Sequence, residues 1–219
     1  MKHFILLLTL MVLGHQAQAA TVSISVNSNG GPMFATSAGD LLSLGSCIRI
    51  GVFDTSGGNL TTLQTSDDYF AIDALFTPLG ESGGSSGTIT QAGNSGSVLM
   101  INDLFGTGNV LGQIANIDSA YLPAGQQLYA WVFNSAAPQG SEQWGIYTST
   151  TGWNFPNGLG SETLSTFEID TVLRGSTTGG LTTTDRFSLS PVPEPSGSLL
   201  ILAAGLVFRL RRTRRHTSV

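Results

Sequence analysis

The pattern of apolar and polar positions is that of many short strands. Thr21-Val22-Ser23-Ile24-Ser25-Val26 alternates with a period of two, as a strand with one buried face does. Residues 47–53, with the core Cys47-Ile48-Arg49-Ile50, form a second strand, which turns at Asp54-Thr55-Ser56-Gly57-Gly58-Asn59. Residues 97–101 and 110–117 are further candidates. Gln127-Leu128-Tyr129-Ala130-Trp131-Val132-Phe133 is apolar after its first residue, which predicts a central strand covered on both faces. Residues 143–148, 163–173 and 186–189 complete the set. One helix is predicted over residues 67–76: Ser66 is the expected N-cap, Asp67 and Asp68 suit the positive helix end, and Tyr69, Ile72, Leu75 and Phe76 share a face. Thr77-Pro78 would end it. Residues 81–96, rich in Gly and Ser, read as a long loop. The fold class expected is mainly β, an antiparallel sandwich or jelly roll with one short helix.

Two apolar runs at the ends break this pattern. Residues 1–19 have a short polar start at Lys2 and His3, an apolar stretch over 4–13, and small residues at Ala17 and Ala19. This is the layout of a secretory signal peptide, with cleavage expected between Ala19 and Ala20 by signal peptidase after Sec-type export. At the other end, three prolines within residues 191–195 exclude a central strand or a continuing helix. An apolar run over 197–208 follows, then Arg209, Arg211, Arg212, Arg214 and Arg215. Arginines beyond an apolar helix mark the cytoplasmic side. The run covers roughly 18 Å of a hydrocarbon core of about 30 Å, so it suits a transient inner-membrane anchor. The chain thus divides into 1–19, a passenger over 20–190, and a tail over 191–219.

Charge sharpens the division. The whole chain carries −5, but between Thr21 and Ser190 three arginines (Arg49, Arg174, Arg186) face thirteen acidic residues, a balance of −10 with no Lys and no His. An acidic passenger is a poor partner for nucleic acid, which rewards phosphate neutralisation. The single cysteine, Cys47, excludes an intramolecular disulfide and reads as a buried small hydrophobe.

The tail resembles the PEP-CTERM family of sorting signals. The resemblance lies in Val192-Pro193-Glu194-Pro195-Ser196, the apolar run over 197–208 and the basic end over 209–219. It covers about the last 28 residues and leaves the passenger unassigned. It implies recognition by an exosortase, a membrane protease or transpeptidase of Gram-negative bacteria, with cleavage near Pro193-Glu194-Pro195. It also implies delivery to the cell surface or extracellular matrix, in association with exopolysaccharide and biofilm.

The passenger offers little catalytic chemistry. Without His, Ser-His-Asp and Cys-His arrangements are absent, and Cys47 alone holds no zinc. A carboxylate-only glycoside hydrolase would need two of Asp67, Asp68, Asp73, Glu142, Glu162, Glu168 and Asp170 in one cleft. Of these, Asp67 and Asp68 fit a helix start, and Glu168 and Asp170 fit the outer face of a strand. No catalytic residue and no cofactor is expected. Oxygen ligands over 54–59 are a candidate calcium turn, which ordinary turn chemistry also explains. A carbohydrate-binding sandwich is the alternative function. Trp131 and Trp144 read as core, and Trp153, in the loop-like Gly152-Trp153-Asn154-Phe155-Pro156, is the candidate sugar contact, with packing of that loop onto the sandwich as its favoured role. The reading that leads is a non-catalytic exported surface or matrix protein.

Overall fold

The computed structural model describes residues 20–28, 31–91, 99–101, 108–178 and 185–192. In chain order the elements are β1 (Thr21–Asn27), β2 (Met33–Ala35), β3 (Cys47–Phe53), α1 (Asn59–Thr65), α2 (Tyr69–Asp73), β4 (Phe76–Pro78), β5 (Thr88–Thr90), β6 (Leu99–Met100) and β7 (Leu111–Asp118). They continue as β8 (Tyr129–Phe133), β9 (Gln143–Thr148), β10 (Ser161–Ser165), β11 (Thr171–Arg174), β12 (Ser176–Thr178), β13 (Arg186–Ser188) and β14 (Ser190–Pro191). The class is mainly β, as the sequence pattern predicts.

A seven-stranded sheet runs β11-β9-β8-β3-β4, with β14 beside β9 and β6 beside β3. Every pairing in it is antiparallel. A four-stranded sheet runs β10-β1-β7-β5, and a three-stranded one β12-β13-β2. The antiparallel expectation needs one amendment, because β10 joins β1 and β13 joins β2 in parallel.

Period-two alternation builds two cores on the central sheet. Ile48, Ile50 and Val52 of β3 and Ala130 and Val132 of β8 point into one core, where they meet Val22, Ile24 and Val26 of β1 and Ile114 and Ile117 of β7. This is the sandwich interface. The alternate residues, Phe53 of β3 and Tyr129, Trp131 and Phe133 of β8, point the other way. They meet Leu63 of α1, Tyr69 and Ile72 of α2, and Phe76. All residues of β3 and β8 are buried, as the unbroken apolar run of β8 requires. Each fully buried Val, Leu, Ile or Phe contributes about 1.5–3 kcal/mol, so a strand covered on both faces contributes about twice what an alternating one does.

The helical region differs from expectation. Residues 67–76 are not one helix. Asn59–Thr65 and Tyr69–Asp73 are two short ones, and Phe76 already begins β4. Asp68, not Ser66, is the N-cap of α2: its Oδ1 accepts from the Phe70 N–H at 2.9 Å. Ser66 instead accepts from the Asp68 N–H at 3.1 Å. Thr77 and Pro78 pair with Val52 and Gly51 in an outer strand, where a proline costs no ladder bond. The stretch 163–173 is also interrupted. It ends β10, makes a 3-10 turn over Thr166–Glu168, and resumes as β11, so Glu168 and Asp170 do not share a strand face. The expected loop over 81–96 holds a 3-10 turn at Gly84–Ser86 and strand β5, and its residues 92–96, with residues 97 and 98 of the next expected strand, lie outside the described residues. Finally, β14 carries the fold past residue 190. Pro191 lies opposite Gln143, and the Val192 N–H donates to the Glu142 carbonyl at 2.7 Å.

Candidate functional site

Two arginines in the apolar sheet bind two of the candidate carboxylates, Asp73 and Asp67, together with Glu81. Arg49 stands in the middle of β3, is 7% exposed, and points to the helical side. Its Nε and Nη2 donate to the two oxygens of Glu81 at 2.8 and 2.9 Å, and its Nη1 donates to Asp73 Oδ1 at 2.6 Å and to the Tyr69 hydroxyl at 3.0 Å. Its guanidinium carbon lies 4.8 Å from the ring centre of Phe76 and 5.2 Å from that of Trp131. Burial opposes its charge, but the bonds to Glu81 and Asp73 outweigh that and raise its pKa. Burial also pushes the Tyr69 hydroxyl up to about 12. Arg174, on β11, donates to the Ser66 carbonyl and to Asp67 and lies 5.0 Å from the Trp144 ring centre. These clamps hold α1, α2 and the turn between them onto the sheet. The lone Arg49 inside Cys47-Ile48-Arg49-Ile50 was the sequence signal for them, since a buried charge requires a partner.

The other candidates fall to structural duties. Trp153 is 2% exposed within the sandwich core. It packs its loop onto the sandwich, the role favoured for it, and the buried ring offers no face to a sugar. Its loop folds inward because the Trp153 carbonyl accepts from the Leu128 N–H at 2.9 Å and from Gln127 Nε2 at 2.7 Å. Trp131 and Trp144 are core residues, as expected. In the candidate calcium turn, Asp54 Oδ1 accepts from the Ser56 N–H and Oδ2 from Asn59 Nδ2, both at 2.9 Å. The Ser56 bonds hold the Asp54 carboxyl below the usual range. Glu162 Oε1 accepts from the Thr163 N–H at 3.0 Å. Cys47 is fully buried, and burial pushes its thiol up to about 12.

A cavity of about 340 Å³ lies where β11 meets the three-stranded sheet. Pro32, Ile169, Val172 and Phe187 form its apolar wall. The polar wall is Asp170, Thr177, Thr178, Asp185 and Arg186. Asp170 is fixed there by the Thr150 N–H at 2.9 and 3.1 Å and by the hydroxyls of Thr150 at 2.8 Å and Thr171 at 2.9 Å. The Thr150 N–H is the main cause holding its carboxyl below the usual range, so it stays ionised at neutral pH. Arg186 Nη1 donates to the Gly39 carbonyl, which ties the cavity wall to the turn after β2. Of the sequence-stated carboxylates only Asp170 reaches this cavity. Thr177, Thr178 and Asp185 carried no local signal, because residues 32, 169–172, 177–178 and 185–187 meet only through the pairing of β12, β13 and β2.

Ala20 is the first described residue, and its carbonyl accepts from the Ser119 N–H at 2.9 Å. Val192 packs against the helical-side core. The other end-signal residues, Ala17, Ala19, Pro193, Glu194, Pro195 and Arg209, Arg211, Arg212, Arg214 and Arg215, lie outside the described residues. Among the described residues no helix is long and apolar enough to cross a membrane, and no group of three metal-ligating side chains occurs. No protein-family model, curated protein or solved structure matches the chain.

Proposed function

We propose that the chain is an exported, non-catalytic surface or matrix protein, sorted by an exosortase-type enzyme and associated with extracellular polysaccharide. One observation carries the reading. Among the described residues the first strand begins at Thr21, just after the expected Ala19–Ala20 cleavage point, and backbone pairing runs to Val192, next to Pro193-Glu194-Pro195. The described core of the passenger thus lies between the two expected processing signals.

A non-catalytic role is supported by the use of the acids. Asp67, Asp73 and Glu81 are bound to arginines, and Asp68 caps a helix. A carboxylate held in an ion pair is a poor proton donor for glycoside hydrolysis.

The test is the intact mass of the protein recovered from its native host, with the inner membrane compared with the matrix fraction. A species beginning at Ala20 and ending near Pro195, found outside the inner membrane, is expected. A species that keeps Arg209 to Val219 and stays in the inner membrane would reduce the tail to a plain anchor and overturn the sorting route.

A further inference from the structure

We propose that the cavity between β11 and the β12-β13-β2 sheet binds a short uncharged saccharide. The inference rests on the reading of the domain as exported and matrix-facing for its setting, and on the cavity alone for its chemistry.

Size comes first. About 340 Å³ lies at the small end of the roughly 300–1,000 Å³ usual for small-molecule sites. That is room for a short oligosaccharide end rather than a long segment of polymer.

The walls select the chemistry. One side is apolar, with Val172 half-buried and Ile169, Phe187 and Pro32 packed behind it, and offers a small C–H surface to a pyranose ring. The other mixes carboxylate acceptors, threonine hydroxyls that donate and accept, and a guanidinium that only donates. A ring with several hydroxyls, each both donor and acceptor, matches that mixture. An anionic sugar meets two carboxylates against one guanidinium, within a domain of net −10 between Thr21 and Ser190. Asp170 and Arg186 are held in place before any ligand arrives, by the Thr150 and Thr171 bonds and by the Gly39 carbonyl. Preorganisation of this kind lowers the entropic cost of binding. No aromatic face takes part, because Phe187 is 1% exposed, so the affinity expected is modest.

The probes are cellotriose, xylotriose, mannotriose and triacetylchitotriose, with a trisaccharide of glucuronate as the charge control. They are titrated into isotope-labelled protein purified after export, and amide shifts are followed by NMR. Expected is saturable binding of at least one neutral probe, at about millimolar Kd or tighter, with shifts clustered at Val172, Thr177, Thr178 and Phe187. The glucuronate probe should bind at least about tenfold more weakly. Thr178→Trp, on an exposed strand position, should keep the native spectrum elsewhere and lose about tenfold in affinity; Thr177→Lys serves as second variant should it misfold. No neutral probe bound at about 10 mM, shifts centred away from the cavity, equal binding of the anionic probe, or indifference to both variants would each overturn the assignment. Those results, found together with correct export and tail processing, would leave the proposed function standing.

Discussion

Replacing Arg49 by methionine tests whether the helical layer is held by the ion cluster or by apolar packing alone. Methionine keeps the apolar stem of the side chain and removes the guanidinium that lies over Phe76 and Trp131, so the change is chiefly electrical. Four hydrogen bonds disappear, two to Glu81, one to Asp73 and one to Tyr69. The side chain of Glu81 is only 16% exposed and would be left as an unpaired charge. Orphaning one member of a buried pair costs about 3–5 kcal/mol. Asp73 is 37% exposed, and solvent screening reduces its share to about 1 kcal/mol or less. Glu81 is not fully buried either, so the lower part of the range applies, with about 0.5–1 kcal/mol added for the lost cation–π contacts. The expected loss is about 3–4 kcal/mol, a change of several hundredfold in the folding equilibrium.

The double variant Arg49→Met with Glu81→Gln removes the orphaned charge, and should recover roughly half of that loss, because the amide has no Born penalty. Urea unfolding followed by tryptophan fluorescence measures both variants, and Trp131 reports directly because it lies beneath the guanidinium. A single variant that costs less than about 1 kcal/mol, or a double variant no more stable than the single, would refute the argument that the cluster holds α2 and the Glu81 turn to the sheet.

Three further predictions follow from the same geometry. Trp153→Ala should cost about 3–5 kcal/mol, as truncation of a buried aromatic does, whereas a surface sugar platform would lose little; thermal unfolding of the variant decides it. Asp170→Asn should flatten the acid limb of the stability profile: folding lowers the pKa of Asp170, so its contribution is complete above the unfolded value of about 3.9 and is lost as the pH falls through the lower folded value. The comparison is Tm against pH for the two proteins from neutrality to about pH 2. Cys47 should resist alkylation at pH 8, where a thiol pushed up to about 12 is ionised in only about one molecule in ten thousand; labelling should appear only under urea, and rapid native labelling would contradict the buried placement.

The strands were readable where local pattern and burial agree. Residues 143–148 form β9 as expected, and the unbroken apolar run of β8 announced a strand covered on both faces. The helices were misread because the same spacing serves two structures. Tyr69 and Ile72 do share a helical face, but Leu75 and Phe76 continue the pattern into a turn and a strand. Asn59–Thr65 has three threonines and only Leu60 and Leu63 as apolar residues, so neither propensity nor amphipathicity marks it. Trp153 is a loop residue that packs inward, as favoured from the sequence, but the tie that holds it was not legible: the side-chain amide of Gln127, 26 residues earlier, bonds its carbonyl. The cavity was not legible at all, because it depends on parallel pairing of β2 with β13, more than 150 residues apart.

The fate of the positive charges connects the fold to the proposed role. Arg49 and Arg174 are 7% and 6% exposed and are committed to carboxylates, and Arg186 is tied to the Gly39 carbonyl. Residues 21–190 contain no lysine to replace them on the surface. The charge that the folded domain shows solvent is therefore mostly acidic, which repels copies of itself and offers polyanions little to hold. The basic residues outside the domain are Lys2 and the five arginines of the tail, and processing would remove them all. A mature species over 20–195 gains only Glu194 on top of the −10 of the passenger and carries −11, against −5 for the full chain. Anion-exchange retention should therefore rise sharply on processing, and the mature form should pass through a cation exchanger at neutral pH. The same charge disfavours acidic polymers, so the proposed contact with a polysaccharide would favour neutral sugars, whose hydroxyl groups and apolar ring faces suit the cavity between β11 and β13.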